Sequence, residues 1–139
     1  MGNVYYALQD LEQAEQMHSK HLEMSREAGD VAGEGRANGN LGLIYLAKSE
    51  FEKAKENFEA DLKIKEQLAD EAGAGKAYGN LGVCYASMGE MEQSKAMHEK
   101  QLAAAQASAD KAEQGMAYSS LGNCYVALGD VEKAKEMHE

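Results

Sequence analysis

GNLGVCY, at residues 79–85, is one copy of a block that recurs along the chain. NLGLIY at residues 40–45 and SLGNCY at residues 120–125 are close variants, and MGNVY at residues 1–5 is a shortened copy. Equivalent positions of successive copies are 40 residues apart. A fixed period of this length is typical of repeat proteins, in which each unit buries its apolar face against its neighbours. The block therefore predicts an array of similar units.

The composition excludes several classes of protein. Lys and Arg total 14 against 24 Asp and Glu, which gives a net charge of −10. This charge argues against a binder of nucleic acid, which needs a basic face. No apolar run approaches the length of about 20 residues that a membrane span requires, and no signal-peptide pattern opens the chain. The two cysteines do not form a disulfide framework, so we expect a cytoplasmic location.

The pattern of apolar residues predicts helices throughout. Proline is absent, and apolar residues recur at steps of three and four. In the middle unit this spacing predicts one buried stripe of Phe51, Ala54, Phe58 and Leu62. The equivalent stripes are Leu11, Ala14, His18 and Leu22 in the first unit and Met91, Ser94, His98 and Leu102 in the third. We expect helices of about 16 to 18 residues, or about 25 Å.

Turn residues follow the tyrosine of each block. Gly89 and Gly129 suit the left-handed conformation that often ends a helix. The alignment predicts equivalent turns at residues 49–50 and 9–10, the latter with a capping box from Asp10 to Gln13.

Aspartates also recur with the 40-residue period, at Asp30, Asp70 and Asp110. We expect each of them to cap the next helix. Asp110 with Glu113 fits the reciprocal capping box, in which each side chain bonds the backbone N–H of the other.

The order of these residues resembles the tetratricopeptide repeat. Leu-Gly-x-x-Tyr is followed by Gly-Asp or Gly-Glu, then a small residue (Ala54, Ala134) and a large one (Phe58). The resemblance covers the whole chain, although the usual unit has about 34 residues and ends in proline, whereas Glu66 stands there in this 40-residue unit. It implies an α-solenoid of antiparallel helix pairs that forms a right-handed superhelix.

The 40-residue form resembles the Pins/LGN class of cell-polarity adaptors. The shared stretches are EGRA at residues 34–37, LGN at residues 121–123 and HLEMSREAGD at residues 21–30. This resemblance implies a role as a scaffold in protein–protein interaction.

The repeat divides the chain as one array over residues 1–139. We expect a partial first repeat over 1–30, full helix pairs over 31–70 and 71–110, and a truncated last repeat over 111–139. Neither end resembles a polar cap, and an uncapped solenoid exposes apolar faces. The chain is therefore either part of a longer array or able to associate with itself through its ends.

One helix face is a candidate binding site. The resemblance implies that the first helix of each pair lines a concave side, and the helical period then selects the residues on that side. Asn can hold a peptide backbone, Arg or Lys can bind a carboxylate, and the neighbouring Gly39 and Gly79 would allow a ligand to approach closely. The predicted peptide-binding residues are Asn3, Arg36, Asn40, Leu43, Lys76, Asn80, Val83, Met116, Ser120 and Asn123.

One other interpretation of this face remains open. Arg36 with Asn40, and Lys76 with Asn80, can be solvated helix residues that support each other at i,i+4. The third unit departs from the pattern with Met116, so we expect it to be more apolar.

The histidines and cysteines indicate packing. His98 shares a column with Phe58, as do His18 and His138, and Cys84 and Cys124 align with Val4 and Ile44. We therefore predict no metal site, no cofactor and no catalytic residue.

The sequence thus predicts a non-catalytic adaptor that binds an acidic–apolar peptide segment of another protein, extended or partly helical. The acidic residues would lie near Arg36 and Lys76, and the apolar ones near Leu43, Val83 and Met116. The alternative is a structural or self-assembling segment that acts through its ends.

Overall fold

The computed structural model describes residues 2–129 and positions 133, 136 and 137, with side chains from Gln9 onward. Within these residues there are helices and no β-strand, so the all-α prediction is confirmed. The helices are α1 (Gly2–Ala28), α2 (Val31–Ala47), α3 (Phe51–Gln67), α4 (Glu71–Ser87), α5 (Met91–Ala107) and α6 (Lys111–Ala127). Helices α2 to α6 each contain 17 residues, as predicted. The starts of α2, α4 and α6 are spaced by 40 positions, so the sequence period is also the structural period.

The chain forms two compact units, Met1–Ile64 and Lys65–Glu139. In the first unit α1 packs on α2, and α2 packs on α3 where Gly42 meets the ring of Phe58. In the second unit α4 packs on α5, α5 packs on α6, and α4 also contacts α6. Each unit therefore contains antiparallel neighbours joined by short turns.

Apolar side chains from the predicted columns form the two cores. Leu41, Ile44 and Phe58 are buried in the first unit. Leu81 and Leu121 are buried in the second, together with Cys84 and Cys124. The interpretation of the cysteines as buried packing residues is confirmed. The repeated alanines at the helix contacts (Ala37, Ala77 and Ala117) are also buried, which lets the helix axes approach closely.

A left-handed residue ends each helix before a turn. Gly89 has φ +81° and Gly129 has φ +86°, as predicted, and Ser49 adopts the same conformation with φ +62°. The next N–H then bonds a carbonyl five residues back, as Glu90 does to Tyr85 at 2.9 Å. This is the Schellman arrangement, and it satisfies carbonyls that the helix leaves free.

The three predicted aspartate caps are confirmed. Asp30 and Asp70 each accept a hydrogen bond at 2.9 Å from the glycine N–H three residues later. Asp110 accepts one at 3.1 Å from the N–H of Glu113. The reciprocal half of that capping box is wrong, because the N–H of Asp110 bonds the carbonyl of Ala105. The carboxylate of Glu113 instead accepts from Gln101.

The turn predicted at residues 9–10 is also wrong, and with it the capping box from Asp10. Helix α1 runs without interruption from Gly2 to Ala28. Gln9 occupies the column that holds Ser49, Gly89 and Gly129. Gln is a good helix former and has no preference for the left-handed conformation, so nothing local ends the helix there.

Candidate functional site

The predicted binding residues lie on the exposed side of three helices. Arg36 and Leu43 are exposed on α2, and Asn40 beside them is half-buried. The same order of exposed, half-buried and exposed residues recurs on the two later helices, with Lys76, Asn80 and Val83 on α4 and Met116, Ser120 and Asn123 on α6. The side chain of Asn3 lies outside the described residues.

In the second unit the structure brings five of these residues together around one cavity. This cavity, which we call the α4–α6 cavity, has a volume of about 250 Å³. Its lining comprises Lys76, Gly79, Asn80, Val83, His98, Gln101, Glu113, Met116 and Ser120. Asn123 lines a neighbouring cavity of about 300 Å³, which it shares with Val83 and Ser120. Arg36, Asn40 and Leu43 belong to the other unit and are described only within it.

The floor of the α4–α6 cavity is a chain of three buried polar side chains. Nδ1 of His98 lies 2.8 Å from Oε1 of Gln101, and Nε2 of Gln101 donates to Oε2 of Glu113 at 2.9 Å. His98 and Gln101 are each 3% exposed and Glu113 is 8% exposed. We call these three residues the polar chain.

The orientation of the Gln101 amide shows that Nδ1 of His98 carries a proton. A carboxylate accepts hydrogen bonds, so the amide nitrogen of Gln101 must face Glu113 and its oxygen must face His98. Nδ1 of His98 therefore carries a proton, and Nε2 of the neutral ring is an acceptor. Burial lowers the pKa of His98, while the hydrogen bond to Gln101 opposes that shift. The neutral ring is the form that this environment favours.

Gly79 and Gly39 each face a side chain of the next helix. A Cβ atom at residue 79 would lie 2.7 Å from Nε2 of Gln101, and one at Gly39 would lie 2.9 Å from Oδ2 of Asp61. Both glycines therefore allow a close approach within the protein. Gly79 also lines the α4–α6 cavity, and the close approach of a ligand to these glycines stays a prediction.

The pattern of apolar residues does not predict the polar chain. It predicts Leu62 and Leu102 on the buried stripe, but both are half-buried, and Asp61 and Gln101 take the buried places one residue earlier. A signal was present, because Glu113 interrupts a column that holds Gly33 and Gly73. The expectation of a more apolar third unit was wrong at the floor of the cavity, although Met116 at the rim is apolar.

The side chains at the rim are available to a ligand. Lys76 and Asn80 form no hydrogen bond or ion pair with any described residue, and the same holds for Arg36 and Asn40 in the first unit. Other cations are engaged, such as Lys48, which lies 3.2 Å from Glu15. Among the described residues no hydrogen bond joins Arg36 to Asn40 or Lys76 to Asn80. The structure therefore shows no support within these i,i+4 pairs.

The ring of His98 and the side chain of Ser94 also serve packing. His98 packs against Gly82, as Phe58 packs against Gly42 in the first unit, which confirms the packing interpretation of this column for His98. His138 lies outside the described residues. Ser94 donates to the carbonyl of Gly82 at 2.7 Å and lies 3.4 Å from Sγ of Cys124. Across the described chain, no group of three or more His, Cys, Asp or Glu could hold a metal ion. No described helix has the length and apolar character of a membrane span.

A family model described as tetratricopeptide repeat matches residues 1–67 and 73–139. No curated protein matches this chain. BtubC (BKLC) from P. vanneervenii is similar in structure, with a TM-score of 0.85 and 27% identity over 92% of this chain and 54% of that one. This chain thus spans about half the length of BtubC.

Two further solved structures are similar. The TPR domain of Arabidopsis FLU has a TM-score of 0.72 and 27% identity over 75% of this chain and 87% of its own. A Rap protein complexed with Competence and Sporulation Factor has a TM-score of 0.85 and 20% identity over 97% of this chain and 38% of its own. The last likeness concerns the fold alone.

Proposed function

Because this chain belongs to the tetratricopeptide repeat family, we propose that it is a non-catalytic adaptor that binds a peptide segment of another protein. The segment is extended or partly helical and carries acidic and apolar residues. In the second unit it lies over the α4–α6 cavity, with Lys76 and Asn80 at its rim. Arg36 and Asn40 make equivalent contacts in the first unit.

One observation carries this proposal: five residues chosen by their repeat positions line a single cavity. A cation, an amide, a hydroxyl and two apolar side chains converge there, which gives a peptide both polar and apolar contacts. Unpaired Lys76 offers a charge-assisted bond to a carboxylate, and unpaired Asn80 can both donate to and accept from a peptide backbone. Val83 and Met116, both exposed, offer contact area to apolar side chains.

The solved relatives agree with a binding role but do not identify the partner. The Rap structure is a complex with Competence and Sporulation Factor, so one protein of this fold binds a second molecule. We further propose that the chain belongs to the 40-residue Pins/LGN-like class and acts in the cytoplasm. The support is the period of 40 and the stretches at residues 21–30, 34–37 and 121–123.

Selection from a random peptide library tests the proposal. The bait is the intact chain, and it is compared with a variant in which Arg36, Asn40, Lys76 and Asn80 are all alanine. A matched control changes Lys63 and Lys111, which are exposed lysines outside the site, to alanine. We expect acidic–apolar peptides to enrich on the intact chain and on the control, and to be lost from the quadruple variant.

Equal enrichment on all three baits, or none on any, contradicts the proposal and favours the self-assembling alternative. That alternative has its own measurement. Light scattering would then show an average mass that rises with protein concentration, and truncation of residues 131–139 would reduce it.

A further inference from the structure

The charge of the site changes along the repeats. The column that holds Arg36 and Lys76 continues with the neutral Met116, and the column that holds Gly33 and Gly73 continues with Glu113. The third repeat thus loses a cation and gains an anion. In the second unit Lys76 on α4 and Glu113 on α6 line the same cavity, so the cavity presents one charge of each sign.

Glu113 is a buried carboxylate without a cation. Only 8% of the residue is exposed, and its one side-chain partner is the neutral amide of Gln101. Its position in the first turn of α6 adds the partial positive charge of a helix N-terminus. Among the described residues no Lys, Arg or His forms an ion pair with it. Buried glutamates are rare unless they are paired, so Glu113 is suited to accept a cation from a ligand.

His98 holds the floor of the cavity in place. It is 3% exposed, it lines the α4–α6 cavity, and its Nδ1 is engaged by Gln101. Its Nε2 packs against Gly82 on α4. His98 therefore fixes the Gln101 amide, and the carboxylate of Glu113 is the charged acceptor at the floor.

We infer that the α4–α6 cavity is a subsite for one basic side chain, arginine or lysine, of the bound peptide, with Glu113 as its counter-ion. The inference rests on the proposed function and adds a basic residue to the acidic–apolar segment. The volume of about 250 Å³ suits a single long side chain. Its aliphatic part passes between Val83 and Met116, and Lys76 at the rim receives an acidic neighbour in the peptide.

The subsite belongs to the second unit. At the equivalent position to His98 the first unit has Phe58, which carries no acceptor, and Asp61 replaces Gln101. An apolar side chain in the α4–α6 cavity would leave the Glu113 carboxylate without a charged partner, which is costly in a buried site. A guanidinium or ammonium group supplies both the donors and the charge.

Titration with a blocked arginine, acetyl-arginine methylamide, tests the subsite by nuclear magnetic resonance. The matched probe is acetyl-citrulline methylamide, which has nearly the same shape and no charge. We expect the arginine probe to shift the signals of Gln101 and Ala117 saturably, with a dissociation constant on the order of 1–10 mM. Citrulline should bind at least about tenfold more weakly, because a charged hydrogen bond is replaced by a neutral one.

Glu113→Gln should weaken the binding of the arginine probe by about tenfold or more, because it removes the charge and keeps the acceptor for Gln101. Glu99→Gln, at an exposed position of α5, should leave the binding of the probe unchanged. Equal binding of both probes, equal binding to Glu113→Gln, or no saturable shift up to about 50 mM each overturns the inference. The same spectra report whether each variant is folded.

The inference and the proposed function can fail separately. If the peptide selection enriches acidic–apolar peptides that contain no Arg or Lys, the adaptor role stands and the basic subsite is wrong. If arginine binds at Glu113 but the peptide selection fails, the subsite stands and the peptide proposal is wrong.

Discussion

The imidazole of His98 occupies the space beside Gly82 that a side chain would need. A Cβ atom at residue 82 would lie 2.5 Å from Cε1 of His98, and one at Gly42 would lie 2.5 Å from Cε1 of Phe58. Real Cβ contacts are never this short. The glycine column and the large-residue column of the repeat are therefore a single packing feature.

Gly82→Ala should destabilise the protein. The added methyl group forces apart α4 and α5, and overpacking of a core costs about 1–3 kcal/mol. Urea unfolding followed by circular dichroism measures the loss. Gly115→Ala is the matched control, because Gly115 lies in helix α6 with no atom within 4 Å of an added Cβ. There we expect a gain of about 0.5–1 kcal/mol, since alanine favours the helix.

The same core holds a group that titrates. Burial lowers the pKa of His98 in the folded state, whereas an unfolded histidine has a pKa of about 6.5. Above about pH 6.5 the ring is neutral in both states and contributes no pH dependence. As the pH falls below that value the unfolded state binds the proton more readily, so the free energy of unfolding should decrease.

His98→Phe isolates this contribution, because Phe58 already occupies the equivalent position in the first unit. The variant loses the hydrogen bond to Gln101, so its absolute stability is not the measurement. The measurement is the difference in unfolding free energy between the two proteins at pH 7 and pH 5. As the pH falls, the parent should lose unfolding free energy relative to His98→Phe, by at most about 1.4 kcal/mol per pH unit. Parallel pH profiles would show that His98 does not titrate differently on folding.

The fold could be predicted because its determinants are local. The 40-residue period, the caps at Asp30, Asp70 and Asp110, and the left-handed Gly89 each act through neighbouring atoms in the chain. The alignment wrongly predicted a turn at residues 9–10, where α1 continues. A turn there depends on the residue present, and Gln9 favours helix.

The floor of the site could not be predicted because it depends on the rotation of α5. A shift of one residue in the buried stripe brings Gln101 inward in place of Leu102. A polar residue is stable there only because His98 and Glu113 satisfy its amide. The hydrogen bonds among His98, Gln101 and Glu113 join three positions on two helices, and no single column of the repeat predicts them.

Ala109→Gly should stabilise the protein. Ala109 has φ +56°, in the left-handed region, where a Cβ atom costs about 1–2 kcal/mol. Gly29 already supplies glycine at the equivalent position, with φ +70°. Part of the gain is lost because glycine makes the unfolded chain more flexible, so we expect a net gain of about 0.5–1 kcal/mol.

Ala103→Gly provides the comparison for Ala109→Gly. Ala103 is exposed within helix α5, where glycine should cost about 0.5–1 kcal/mol. Thermal unfolding of both variants should move the midpoint in opposite directions. A decrease for both would mean that the turn at Ala109 is not strained.

Met116→Lys should place a cation beside Glu113. Met116 is exposed on α6, three residues after Glu113, and both line the α4–α6 cavity. A glutamate that precedes a lysine by three positions on a helix gains a few tenths of a kcal/mol. Stability should therefore rise slightly, while the blocked arginine should lose at least about tenfold in affinity because its counter-ion is already paired. Met116→Gln, which has a similar length and no charge, should lose less affinity for arginine than Met116→Lys, because it changes only the contact with the aliphatic part of the probe and leaves Glu113 without a cation. If both variants bound arginine as the parent does, Glu113 would not be its counter-ion.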